Sequence, residues 1–199
     1  MPSSFKTISS PSEGIYKEKG SKFLSFAIPV KDVEEIKAIL ENYRKEYYDA
    51  RHVCYAYMLG EERTEFRSND DGEPSGTAGR PILGQINSFE LTDILIIVTR
   101  YFGGILLGTG GLVTAYKEAA ADAINNAEIV EKTIEIPLSI HFSYELMSEV
   151  SRLIKEFDLQ ISHQKFETAC DMTFSIPKEI FENVRNRFEK IYGIEILEA

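Results

Sequence analysis

The chain has 199 residues, of which 43% are hydrophobic, and a formal net charge of −10 at pH 7. This hydrophobic content is enough for a packed core and excludes a disordered chain, while the acidic balance excludes a protein that holds nucleic acid through a broadly basic surface. The two cysteines, Cys54 and Cys170, are too far apart for a metal-ligand spacing and too few for a disulfide scaffold. The sequence shows no apolar run of signal-peptide or membrane-span length, so we expect a cytoplasmic protein without a membrane partner.

The first two thirds of the chain predict an α+β unit. Residues 22–30 have strand composition, and apolar residues at helical spacing follow from Val33 to Tyr47. The unbroken apolar run at 53–59 indicates a central strand, and residues 64–69 are predicted to return beside it as a hairpin.

A loop rich in glycine and carboxylates comes next, at 68–81, and Pro81 is typical of the first turn of a short helix that we predict through residue 90. The most apolar strand is predicted at 93–99. A glycine-rich loop follows it and leads into a helix with a small-residue inner face, made of Leu112, Tyr116, Ala119, Ala120, Ala123 and Ala127.

The last third predicts the order β-α-β-β-α-β, which is the ferredoxin-like arrangement. The predicted strands are 135–143, 159–167, 169–177 and 194–199, and the predicted helices are 144–158 and 178–193. We place the domain boundary near residues 131–133, which gives domains of residues 1–131 and 132–199.

The glycine-rich segment after residue 99 joins a buried strand, Arg100 and a helix N-terminus. Exposed N–H groups and the helix dipole make such a junction an anion site. Known phosphate motifs do not fit, because Val113 occupies the last position of G-x-G-x-x-G and Gly108 is followed by Thr109 and Gly110, where a P-loop has Lys and Ser or Thr. A tight turn and close packing explain the glycines equally well, and both interpretations stay open.

The acidic loop places Asp70, Asp71 and Glu73 within four positions. Their oxygens suit a hard cation such as Mg²⁺, but Asp-Asp-Gly is also ordinary turn chemistry, and we favour the turn. We therefore expect no cofactor, with Mg²⁺ as the weaker hypothesis.

His52 and Cys54 alternate on one face of a strand, as a base and a nucleophile could. No third group that would orient the pair is identifiable in the sequence, so we favour a buried, inert thiol and a structural histidine, and assign no catalytic residue.

Residues 50–57, 70–83 and 98–112 together resemble the IMPACT family, in the bacterial two-domain form often called the YigZ family. The resemblance covers nearly the whole chain. It implies that residues 1–131 share a fold with the second domain of a small-subunit ribosomal protein and with domain IV of elongation factor G. It implies a ferredoxin-like domain at 132–199, similar to domain V of that factor. Eukaryotic members regulate translation by binding the scaffold that activates a starvation-responsive initiation kinase.

Three functions remain in competition: a protein that binds RNA, the ribosome or a translation-related protein; an enzyme acting on a small phosphorylated ligand; and a regulator that binds only protein. We expect the three motif stretches to form one surface, on which Arg100 binds phosphate and can be replaced without harm to the fold. Where the family often has a basic residue the chain has Thr114, and Lys117 could supply that charge. The candidate binding residues are Arg51, His52, Arg80, Arg100, Gly103, Gly104, Gly108, Gly110, Gly111 and Lys117. The sequence does not determine the oligomeric state.

Overall fold

A computed structural model describes residues 3–197 of the chain. It contains two compact α+β units, one of residues Phe5–Lys132 and one that begins at Thr133 and also includes Ser3 and Ser4. Within residues 3–197, no helix is long and apolar enough to cross a membrane.

The first unit is built on an antiparallel five-stranded sheet with the strand order β2-β3-β6-β4-β5. Strands β1 and β7, at the two ends of the unit, pair as a separate two-stranded ribbon. The elements are β1 Ser4–Ile8, β2 Ser12–Glu18, β3 Ser21–Pro29, α1 Val33–Glu46, β4 His52–Leu59, β5 Glu65–Asn69, α2 Gly79–Ser88, β6 Ile94–Tyr101, α3 Gly108–Asn125 and β7 Ile129–Thr133.

The central strands β4 and β6 are covered on both faces, which explains their unbroken apolar sequences. One face packs against α2 and α3, where the cluster includes Ile96 and Val98 of β6. The other packs against α1, where Leu95 and Ile97 belong to a second cluster. Four alanines of α3 (Ala115, Ala119, Ala120 and Ala123) are fully buried and bring that helix close to the sheet.

The second unit has the predicted order of elements. It contains β8 Glu135–Phe142, α4 Met147–Phe157, β9 Gln160–Phe166, β10 Cys170–Pro177, α5 Phe181–Glu189 and β11 Glu195–Leu197, with a 3₁₀ turn at Tyr144–Leu146. The sheet order is β11-β8-β10-β9, so the last strand pairs inside its own unit, with Ile196 opposite Ile140. Glu198 and Ala199, at the end of the predicted strand, lie outside the described residues.

The sequence-based elements differ from the structure in four respects. Strands β1, β2 and β7 were not predicted, because their sequences are largely polar and, apart from Thr7 and Ile8 at the end of β1, their residues are half-buried or exposed. Helix α2 begins at Gly79, ahead of Pro81. Helix α3 begins at Gly108, so Gly110 and Gly111 lie in its first turn and not in the loop. Both helices of the second unit are shorter than predicted.

Candidate functional site

A cleft of about 360 Å³ forms where the three motif stretches meet in the first unit. Its lining residues are Arg51, His52, Gly72, Glu73, Pro74, Arg100, Phe102, Leu106, Leu107, Gly108, Thr109 and Leu112. The stretches are far apart in the sequence, and the structure brings some residues of all three to this one cleft.

The sheet register brings the basic end of the cleft together. His52 at the start of β4 lies opposite Arg100 near the end of β6. The Arg51 N–H donates to the Arg100 carbonyl oxygen at 3.0 Å. The Arg51 side chain is exposed, and its guanidinium lies 5.5 Å from the centre of the Phe102 ring. Arg51 is therefore a cation at the mouth of the cleft.

Arg100, in contrast, is a buried member of an ion pair. Its Nη1 donates to Glu73 Oε1 at 2.6 Å, and the two side chains are only 6% and 3% exposed. Tyr116 Oη donates to the same carboxylate oxygen at 2.8 Å. The Arg100 guanidinium also lies over the rings of Phe23 and Phe102, at 5.6 and 5.7 Å.

This burial corrects the expectation that Arg100 is a free phosphate ligand with no part in the fold. Glu73 balances its charge, and losing either partner would leave a buried charge unpaired. The Nε of Arg100 is buried and has no hydrogen-bond partner among residues 3–197. Sequence analysis could not find this pair, although Tyr116 on an apolar helix face signalled that its hydroxyl needs a partner.

His52 is held by the acidic loop. Its Nδ1 lies 2.7 Å from the carbonyl oxygen of Asp71, and its Nε2 lies 3.8 Å from Glu73 Oε2. The histidine side chain is 14% exposed, so its ring forms part of the cleft wall.

Cys54 lies beneath the cleft and is fully buried. Its thiol donates to the carbonyl oxygen of Asp70 at 3.1 Å and lies 3.4 Å from Tyr116 Oη. Burial raises the pKa of the Cys54 thiol; the hydrogen bond with Tyr116 lowers that pKa by less than burial raises it, and the nearby charge of Glu73 adds a further rise. The predicted burial is confirmed, and the protonated thiol at neutral pH agrees with an inert side chain.

The carboxylates of the acidic loop bind the protein's own groups. Asp70 accepts hydrogen bonds from the N–H groups of Gly76, Ala78 and Gly79, at 2.8, 3.1 and 2.8 Å, and so satisfies the start of α2. Burial by itself raises the pKa of Asp70, but these donors outweigh it and hold that pKa below its ordinary value.

Asp71 accepts from the N–H of Val53 at 2.7 Å and lies 3.7 Å from Arg44. In the described part of the chain, no group of three or more His, Cys, Asp or Glu side chains could hold a metal ion. The structure therefore does not bring Asp70, Asp71 and Glu73 together as a ligand set, and the favoured interpretation as a turn accounts for two of them.

The five glycines have different roles. A Cβ on Gly103 would lie 1.9 Å from the carbonyl carbon of Gly20, so packing requires glycine there. Gly104 and Gly108 have φ angles of +89° and +69°, which favour glycine. A Cβ on Gly111 would lie 3.0 Å from Leu107 Cβ.

Gly110 is different, because a Cβ there would meet nothing within 4 Å and its φ is not in the left-handed region. The fold therefore gives no reason for glycine at this position. It lies in the first turn of α3, where no side chain caps the helix and no acidic residue occurs.

Two predicted basic residues lie apart from the cleft. Arg80 and Lys117 are both exposed, and neither is among the lining residues of the cleft. Thr114 donates to the carbonyl oxygen of Gly110 at 3.1 Å and lines a neighbouring pocket of about 270 Å³. Lys19 lines that pocket too and was not predicted from the sequence.

The loop between β6 and α3 also exposes apolar side chains. Phe102, Ile105 and Leu106 are 40%, 56% and 82% exposed. The cleft thus has a cation and free N–H groups at its mouth, a buried ion pair at its floor and an apolar rim.

Known proteins match the same region. The Impact N-terminal domain family matches residues 19–124, which include all of the cleft-lining residues. The IMPACT family member YigZ of Escherichia coli (strain K12) is 34% identical over 161 residues, which are 80% of this chain and 79% of that protein. Protein IMPACT homolog of Dictyostelium discoideum is 39% identical over 95 residues, 46% of this chain and 27% of that protein. A solved structure described as a crystal structure of a hypothetical protein has a TM-score of 0.74 and 28% identity, and the match covers 100% of this chain and 98% of that one.

Proposed function

Because this chain belongs to the IMPACT family, we propose that it is a translation-related binding protein and that its cleft holds a phosphate of RNA. The observation that carries the proposal is the uncapped N-terminus of α3, which lines the same cleft as Arg51.

The anion site has two kinds of donor. The free N–H groups of the first turn of an 18-residue helix carry about half a positive charge. Arg51 adds a full positive charge in solvent, where its guanidinium can fork onto phosphate oxygens. Gly110 has no side chain over this first turn, although it lines the neighbouring pocket of Lys19 and Thr114 and not the cleft itself.

The contacts with RNA are few. A chain with a net charge of −10 repels nucleic acid at long range, so binding depends on local contacts. Each phosphate neutralised on a single strand adds roughly 0.7 to the slope of log K against log salt. We therefore expect a shallow salt dependence.

We also propose the two domain folds. The element order of the second unit supports a ferredoxin-like domain at 132–199. The division of the chain between Lys132 and Thr133 supports a first domain at 1–131, with the fold of the second domain of a small-subunit ribosomal protein and of domain IV of elongation factor G.

A protein partner is the second candidate. The exposed side chains of Phe102, Ile105 and Leu106 favour it, because apolar side chains grouped beside a cleft are typical of protein contacts. An enzyme that uses a metal on the acidic loop has less support, since Asp70 and Asp71 are occupied by backbone N–H groups.

The test is a salt titration of the affinity for single-stranded RNA, measured by fluorescence anisotropy. Arg51→Ala should weaken binding and lower the salt slope by about 0.7. Arg67→Ala is the matched control, since Arg67 is an exposed arginine on β5 outside the cleft, and it should leave the slope unchanged. Absence of binding at low salt, or equal slopes for the two variants, would leave a protein partner as the remaining candidate.

A further inference from the structure

The wall of the cleft holds two hydrogen-bond acceptors that face each other. His52 Nδ1 lies 2.7 Å from the Asp71 carbonyl oxygen. A carbonyl oxygen only accepts, so Nδ1 carries a ring proton, and in the neutral tautomer that this contact selects Nε2 is an acceptor. This Nε2 lies 3.8 Å from Glu73 Oε2, which is also an acceptor.

These two atoms cannot satisfy one another. Their distance of 3.8 Å is beyond hydrogen-bond range, and in the neutral tautomer Nε2 carries no proton to donate. The other oxygen of Glu73 already takes the donors of Arg100 and Tyr116. The pair therefore fits a ligand with donors and repels an anionic group.

The rest of the cleft has the opposite preference. Arg51 and the N-terminus of α3 favour an anion, so the whole cleft fits a ligand with a phosphate at one end and hydroxyl donors at the other. A ribonucleotide has this arrangement, and carboxylates accept hydrogen bonds from ribose hydroxyls in nucleotide sites. A cleft of about 360 Å³ holds a ligand of about that size and no duplex.

We propose that His52 Nε2 and Glu73 Oε2 accept hydrogen bonds from the 2′,3′-diol of a terminal ribose whose phosphate lies at the N-terminus of α3. This inference rests on the proposed phosphate-binding function and adds the class of ligand. The same chemistry occurs at the 3′ end of an RNA chain and on a free nucleotide.

The experiment compares ligands on the unchanged protein. Two RNA oligonucleotides, labelled at the 5′ end and identical except for a terminal 2′,3′-diol or a terminal 2′,3′-dideoxyribose, are titrated by anisotropy. We expect about tenfold tighter binding of the diol end, since hydrogen bonds to these acceptors are lost with the dideoxy end. A ribonucleoside 5′-monophosphate and its dideoxy counterpart serve as competitors, and competition by the diol form alone would identify a free nucleotide as a second source.

Two histidine variants complete the experiment. His52→Ala should bind the diol and dideoxy ends equally, with the affinity that wild type has for the dideoxy end. His163→Ala, which removes an exposed histidine of β9, should keep the wild-type preference. Equal affinity of the wild-type protein for the two ends would overturn the diol site while leaving the phosphate site in place. Absence of binding to both ends and to both mononucleotides would overturn the proposed function together with this inference.

Discussion

Replacing Arg100 by methionine should destabilise the first unit severely. The Glu73 carboxylate is 3% exposed and now accepts donors at 2.6 Å from Arg100 and 2.8 Å from Tyr116. Methionine keeps an apolar chain between Phe23 and Phe102, but it leaves the buried negative charge with the Tyr116 hydroxyl only. Breaking a buried ion pair in this way costs about 3–5 kcal/mol of unfolding free energy.

The reverse change and the double change test the cause. Glu73→Gln should also destabilise the unit, because it leaves the Arg100 guanidinium buried without its counter-charge. Combining Arg100→Met with Glu73→Gln removes both charges, and the double variant should be more stable than Arg100→Met. The coupling between two residues in contact is about 0.5–3 kcal/mol in general, and a buried charge pair should lie near the upper end.

Urea unfolding followed by far-ultraviolet circular dichroism measures these values. With an m value of about 2 kcal/mol/M, a loss of about 4 kcal/mol lowers the unfolding midpoint by about 2 M. Arg67→Met is the control, because it replaces an exposed arginine on β5, and its unfolding free energy should stay within about 0.5 kcal/mol of the wild-type value. If Arg100→Met costs less than about 1 kcal/mol, or the double variant is no more stable than Arg100→Met, the buried-charge reasoning is wrong.

Three further predictions concern the same region. Gly110→Val should keep the fold and lose RNA binding, because the valine side chain enters open space over the first turn of α3. Gly103→Ala, in contrast, should lower the melting temperature, because its Cβ clashes with Gly20. Equal RNA affinity of Gly110→Val and wild type would contradict the phosphate site. Asp70→Ala should cost about 1–2 kcal/mol, as loss of a helix cap does. Because the folded pKa of Asp70 lies below its ordinary value, the stabilisation by Asp70 is present above the unfolded pKa and is lost as pH falls through the folded pKa. The loss of unfolding free energy in Asp70→Ala should therefore shrink in acid when unfolding is measured over a series of pH values. A loss that does not depend on pH would refute the role of the ionised carboxylate. Cys54 should react with a thiol reagent at neutral pH only as fast as the unit unfolds, since burial raises its thiol pKa, and rapid labelling of the native protein would show an open path to it.

The sequence by itself determined the features that depend on local pattern. The apolar run at 93–99 predicted a strand buried on both faces, and β6 has a core on each side. The strand composition of β10 was recognised from the sequence, and in the structure its alternation turns Cys170 and Phe174 inward on one buried face. The three motifs identified the family, since a long ordered motif can be recognised in the sequence without knowing which side chains contact one another in the fold.

Only the tertiary structure decided which side chains meet. Arg100 and Glu73 are 27 positions apart, and the register of β4 against β6 and the path of the acidic loop determine that they form a pair. The same applies to Asp70, whose carboxylate satisfies the start of α2, and to Gly110, which differs from Gly103 only in what surrounds it. Local composition shows the charge and flexibility of each residue, but burial and partner depend on chain segments that are distant in the sequence. For that reason a metal site on the acidic loop and an unpaired Arg100 were reasonable predictions from the sequence. In the three-dimensional structure, Arg51 is the exposed cation of the cleft.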